Sequence, residues 1–205
     1  MWESLRASGS PSLRIPYNLC LAGRPGRMRS NAQKVDQKDL TAQIRGFRGW
    51  ELGFDGTAFL LISSHETKWT PKEPQKAKCM RFYSEKHESP DVRCTCGLYG
   101  VREARNCQGS LLGAVEMWGR YVEHAGGWRS QFAYPVALSA VRCQTCKQVS
   151  SFSKTKYSVS VTSSKSPKIR ISCDDCRTNC DDNIKWLPSS HAIEQIEYLY
   201  GLEVS

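Results

Sequence analysis

The chain has 205 residues, 40% of them hydrophobic, a formal net charge of +9 and 10 cysteines. That length suits one ordinary domain or two small ones, and the composition supports a modest core. No apolar run reaches the length of a membrane-spanning helix, and residues 1–28 hold none long enough for the core of an export signal, so a membrane is not expected and the cysteines point to metal thiolates in a reducing cytoplasm rather than to disulfides.

Residues 1–40 read as a disordered basic leader, rich in Ser, Pro, Gly and Arg, with Met28 as an alternative start. Cys20 falls in this leader and is expected to be a free thiol, and Arg24, Arg27 and Arg29 would add phosphate contacts. A short helix fits within residues 31–44.

Residues 41–140 read as a β-rich module of hairpins. Strand-forming aromatics flank Phe54-Asp55-Gly56-Thr57, and Asp-Gly between apolar runs predicts a hairpin with strands near 47–54 and 57–63. A second, longer hairpin runs from Gly113 to His124, turns at Ala125-Gly126-Gly127 and returns from Trp128 to Val141. Pro135 cannot donate to a ladder and predicts an edge position or a bend there.

Residues 141–187 read as a zinc-ribbon-like module. Tyr157, Val159 and Val161 alternate with Ser158, Ser160 and Thr162; Ser163 to Pro167 turns the chain, and Ile169 and Ile171 alternate on the return. Residues 188–205 carry a helix from about Ser190 to Tyr200, with Ser189 or Ser190 as its cap, Ile193, Ile196, Leu199 and Tyr200 as its apolar face, and Gly201 at its end. The predicted fold class is therefore mainly β, with one C-terminal helix.

Two cysteine groups carry metal chemistry. Cys143-Gln-Thr-Cys146 and Cys173-Asp-Asp-Cys176 stand 26 residues apart. Each pair sets two thiolates on one tight turn, and a hairpin between them brings the turns together around one tetrahedral zinc. Cys180 is a substitute ligand, and Asp174 and Asp175 are unusual inside a knuckle. The second group is Cys79, His87, Cys94 and Cys96, with seven residues between the first two and six between the next two. Gly97 after Cys94-Thr-Cys96 allows the left-handed backbone that turns nearby thiolates to one ion, and Cys107 is the substitute ligand. One or two zinc ions are expected.

Several of these segments occur together in a recognisable pattern. His87-Glu-Ser-Pro90 leads to Cys94-Thr-Cys-Gly-Leu-Tyr99, then Gly113-Ala-Val-Glu-Met-Trp-Gly119, Val122-Glu-His-Ala-Gly-Gly-Trp-Arg129 and Ala133-Tyr-Pro135, with Gly46-Phe-Arg-Gly-Trp50 upstream. This resembles a group of small uncharacterised bacterial and phage-borne proteins, frequent in actinobacteria. The resemblance covers about 46–140 and implies a recurring module there, with no activity attached.

Charge separates the modules. Residues 1–48 carry nine basic against three acidic side chains, 49–139 eleven against ten, 140–180 eight against two, and 181–205 one against five. A basic surface confined to one module can hold phosphate locally. Lys147, Lys154, Lys156, Lys165, Lys168 and Arg170, with Tyr157 among them to stack on a base, are the expected nucleic-acid contacts. The alternative is a structural-zinc adaptor that binds a protein partner. Trp50, Trp118, Tyr121, Trp128 and Tyr134 form a candidate ligand cage, against the plainer reading that they are core.

Enzyme signatures are lacking: the chain has no H-E-x-x-H, no P-loop, no dinucleotide fingerprint and no G-x-S-x-G. A loose set at a hairpin tip, Glu123, His124 and Arg129, offers acid–base groups beside an anion binder, and Cys107 with His124 would be a nucleophile pair. A non-enzymatic zinc protein is the favoured reading.

Overall fold

The computed structural model describes residues 43–63, 66–80, 87–152, 157–161, 169–178 and 186–204. The leader and its helix, Cys20, Cys180, the 163–167 turn, and Lys154, Lys156, Lys165 and Lys168 lie outside the described residues.

The fold is mainly β. β1 (Ile44–Phe54) and β2 (Phe59–Ser63) form the first predicted hairpin. Its turn is built as expected from Asp55, whose carboxylate accepts the amides of Thr57 and Ala58 at 2.9 Å and the Thr57 hydroxyl at 2.8 Å. Those bonds hold the Asp55 carboxyl down to about 2. Two short strands follow, β3 (Thr67–Lys68) and β4 (Gln75–Lys76), then β5 (Leu98–Val101).

The second hairpin dominates the molecule. β6 (Leu111–His124) and β7 (Gly127–Arg142) pair along their length, and the register shifts at three places. One shift lies beside Pro135, where Val115 faces Pro135 while Ala114 faces Ala137. The proline thus marks a bulge, because a residue without an N–H is tolerated where the ladder is interrupted. Another lies at Gly119-Arg120, where Gly119 takes φ 75, which the extra residue of a bulge demands and glycine supplies without strain.

These bulges curl the hairpin far enough for its two outer edges to meet through neighbours. β1 pairs with β6, β6 with β7, β7 with β5, and β5 with β1 at Phe47 and Val101, so the antiparallel pairing returns to its start. β4, β8 (Val149–Ser151) and β12 (Glu203–Val204) add to β7, the last in parallel. A separate three-stranded sheet holds β9 (Tyr157–Val161) between β10 (Ile169–Cys173) and β11 (Trp186–Pro188). β9 and β10 are the predicted knuckle hairpin, with Val159 opposite Ile171. β11 has no counterpart in the sequence reading.

Two α-helices, α1 (Asp174–Arg177) and α2 (Ser189–Tyr200), and a 3-10 turn at Ala104–Asn106 complete the described elements. Gly201 ends α2 in the left-handed conformation as predicted, but neither serine caps its start; Pro188 holds the N-cap position and supplies no side-chain hydrogen bond. Ser189 is instead buried.

The hydrophobic core is one continuous cluster. Trp50, Leu61, Val115, Met117, Leu138 and Val141 of the larger sheet join Val159 and Ile171 of the smaller one and Ile193, Ile196 and Tyr200 of α2. Tyr200 fastens the helix: its hydroxyl donates to the Trp69 carbonyl at 2.5 Å and accepts the Leu61 amide at 3.1 Å. Gln195 accepts the Phe59 amide at 2.9 Å, so α2 satisfies backbone donors of β2.

Candidate metal centres

The two predicted ligand sets both assemble. Within each, the four ligand atoms lie within 4.8 Å of one another. Each set can therefore hold a metal ion, and both are complete without Cys107.

In the C-terminal centre, Cys143 follows directly on β7 and Cys173 is the last residue of β10, so two strand ends deliver the knuckles. The turn 143–146 closes through the Lys147 amide to the Cys143 carbonyl at 3.0 Å and is tied to β10 by the Gln144 amide to the Ile171 carbonyl at 3.0 Å. Cys146 and Cys173 sulfurs are 3.7 Å apart, and the Cys173 amide points at the Cys143 sulfur at 3.5 Å. Asp174 and Asp175, unexplained by the motif, open the first turn of α1, where a helix start favours negative charge, and Asp174 pairs with Arg177 at 3.5 Å.

The thiols of this centre are driven apart in proton affinity. Burial would raise Cys143, but the amides of Cys173, Cys146 and Thr145 outweigh it and lower the group to about 6. Cys176 moves the other way, to about 12, chiefly through its hydrogen bond to Cys173. Burial raises Cys173 as well. Crowded thiols behave so because each new negative charge opposes the next, and a cation at their centre removes that penalty.

The N-terminal centre is a loop bracketed by β4 and β5, both laid against the outer edge of β7. Cys79 and Cys94 sulfurs are 3.8 Å apart, and His87 Nε2 is 3.3 Å from the Cys96 sulfur. Burial opposes ionisation of Cys96, yet the Ser89 hydroxyl and His87 bring it down to about 7, while burial raises Cys94. Gly97 takes φ 131 as its motif position requires, and a Cβ there would stand 2.9 Å from the Cβ of Arg129.

Arg129 is the residue that sequence reasoning misplaced. From the sequence it reads as a polar position at a hairpin tip, with anion binding as the less favoured alternative. It is 9% exposed, and its Nη1 donates to the carbonyls of Cys94, of Cys96 at 2.8 Å and of Asp91 at 3.4 Å. The guanidinium thus clamps the metal loop from behind. Its parity with buried Ala133 on β7 was the only signal in the sequence that it faces inward.

The remaining candidates separate. Glu123 pairs with Arg102, and Arg102 lies 4.3 Å from the Trp128 ring centroid. Burial, then Arg129 and Arg102, lowers the pKa of His124 from its ordinary value. Cys107 has Arg142 and Arg48 as its charged neighbours, and His124 has Arg129, Arg102 and Glu123, so the pair has no shared setting. With Arg129 engaged in the loop, the tip lacks its anion binder.

The five aromatics do not form a cage. Trp50 is core, edge-on to Trp69 at 5.7 Å; Trp118 stacks on Phe132 at 6.1 Å; Tyr121 sits half-buried opposite Ser130; Trp128 carries Arg102; and the Tyr134 hydroxyl donates to the Tyr200 carbonyl at 2.8 Å. Tyr157 does not offer a base-stacking face either. It is 5% exposed, donates its hydroxyl to the Gln148 carbonyl at 2.9 Å, and is pushed up to about 12 by burial and by the cysteines beside it. Lys147 and Arg170 are exposed. Among the described residues no helix is long and apolar enough to cross a membrane. Comparisons with protein-family models, curated proteins and solved structures found no match.

Proposed function

We propose that the chain is a non-enzymatic zinc protein that contacts nucleic acid through the basic hairpin between its C-terminal knuckles. The zinc half is carried by donor chemistry: four thiolates in one centre, three thiolates and an imidazole in the other, each set within 4.8 Å. Soft sulfur donors with nitrogen in a four-ligand set suit zinc, and four protein ligands leave no position for water or substrate. The ions would then staple the fold. The engagement of Glu123 by Arg102 and of Arg129 by the loop carbonyls supports the same reading.

The nucleic-acid half is supported by charge. Residues 140–180 carry eight basic against two acidic side chains, and exposed Lys147 and Arg170 flank the centre. Each phosphate they neutralise releases counterions, which makes binding salt-dependent.

Metal analysis of the full chain purified without added metal is expected to find two zinc ions per molecule, one for each centre. The same preparation is titrated into labelled single-stranded DNA, duplex DNA and RNA across a salt series. Affinity should fall as salt rises, and Lys147→Glu with Arg170→Glu should weaken it at every salt. A metal-free chain removes the zinc half; no binding at the lowest salt removes the nucleic-acid half.

A further inference from the structure

A cleft of about 380 Å³ opens beside β1, and none of the eight metal-ligand candidates lines it. That volume lies at the lower end of the roughly 300–1,000 Å³ typical of small-molecule sites. Its wall includes Phe47, Arg48, Tyr99, Asn106, Cys107 and Gln108.

Arg48 gives the cleft its chemistry. The guanidinium lies 5.1 Å from the Trp69 ring centroid and donates through Nη1 to the Tyr99 carbonyl, while its buried Nε has no hydrogen-bond partner. Among the described residues no carboxylate pairs with it. Glu51 also lines the cleft, but its carboxylate accepts from the Ser110 hydroxyl and from Gln144 Nε2 at 3.1 Å. Burial holds the Cys107 thiol above its ordinary value, so that neighbour supplies no counter-charge at neutral pH. Burial also lowers Arg48, to about 10, which leaves it charged at neutral pH. Arg48 is half-buried and its Nε is fully enclosed, so an anion brought to it would accept the hydrogen bonds that the guanidinium leaves unmade.

The rim adds a second kind of contact. Phe47 and Tyr99 are 38% and 43% exposed, unusual for large aromatics beside a cleft with a buried floor. Asn106 and Gln108 are exposed next to them and offer both donors and acceptors. A planar ring can stack on the aromatics, amides can pair with the polar edge of that ring, and a guanidinium fork matches phosphate.

We propose that this cleft binds one nucleoside 5′-monophosphate unit, free or at the end of a strand, with its phosphate at Arg48 and its base over Phe47 and Tyr99. The proposal is independent of the basic hairpin, which shares none of these residues, so either can fail alone.

The test is calorimetry on the full chain with its native metal content, backed by tryptophan fluorescence, since Trp50 lines the cleft and Trp69 lies beneath Arg48. Each of the four ribonucleoside 5′-monophosphates is titrated, then the matching nucleoside. At least one nucleotide should bind saturably at one site, with its nucleoside roughly tenfold weaker or worse. Arg48→Gln should remove that tenfold advantage. Phe47→Ala, which alters an exposed ring and leaves the Arg48 packing in place, should weaken nucleotide and nucleoside alike. Competition by a 5′-phosphorylated oligonucleotide identifies a strand end as the ligand, and its failure to compete identifies the free nucleotide. The proposal is overturned if no nucleotide binds at millimolar concentration, if nucleosides bind as tightly as nucleotides, or if Phe47→Ala binds as the parent does.

Discussion

The two metal centres share a ligand count and differ in what supports them. The C-terminal one is part of the hydrophobic core: Cys143 is fully buried, Cys173 is 7% exposed, and both belong to the cluster that joins the two sheets and α2. The N-terminal one lies outside that cluster, on a loop whose carbonyls are gathered by Arg129. The same kind of four-ligand set therefore sits in the core in one place and on a loop at its margin in the other. Losing the first should open the core, whereas losing the second should free a loop that two strands still bracket.

Single-ligand variants separate the two most strongly. Cys173→Ser is expected to cost on the order of 4–5 kcal/mol or more, as losses of structural metal do, and to lower the thermal midpoint of the whole molecule. Cys96→Ser should instead raise hydrogen exchange over residues 87–98 while β6 and α2 stay protected. Equal global destabilisation by the two variants would abolish the distinction between core and loop.

Arg129→Met gives a smaller and more selective effect. It keeps much of the apolar bulk but leaves buried carbonyls without their charged donor, a loss of roughly 3 kcal/mol. Native mass spectrometry of this variant should show the N-terminal centre losing its ion during chelator challenge before the C-terminal one does. Simultaneous loss from both would mean that the centres are coupled through β7.

The smallest expected effect lies at Lys147, which follows the first C-terminal knuckle with φ 65. A left-handed conformation disfavours any residue with a Cβ, so Lys147→Gly should change stability by no more than about 1 kcal/mol, in the stabilising direction. Denaturant midpoints read this directly. A clear destabilisation would show that the lysine bond to the Gln144 carbonyl, at 2.7 Å, outweighs the backbone strain.

Much of this architecture was legible before the fold was known, and the legible parts are local. Asp55 makes its turn with amides two and three residues away, and the alternation of Tyr157, Val159 and Val161 marks β9 as a strand, although Ser158 and Ser160 on its other side are buried too. Cys143 and Cys146 need only one turn of chain to face the same way. The misreadings are equally specific. Arg129 looks like a surface cation, because a sequence does not show that three carbonyls from residues 91–96 will converge on it. Tyr157 looks like a stacking platform among lysines, yet the knuckle closes over it. β11 and β12 are too short to carry a period and form by pairing with strands made elsewhere.

The sequence by itself determined the two candidate metal-ligand sets, the two principal hairpins and the C-terminal helix, since donor type, turn residues and apolar period act over a few positions. Only the tertiary structure decided that the hairpins close into a circuit through β5, that one core runs beneath both sheets, and that Arg48 stands half-buried at a cleft with no carboxylate paired to it among the described residues. Those outcomes depend on which distant surfaces exclude water together, and burial of that kind is a property of the packed chain rather than of any segment within it.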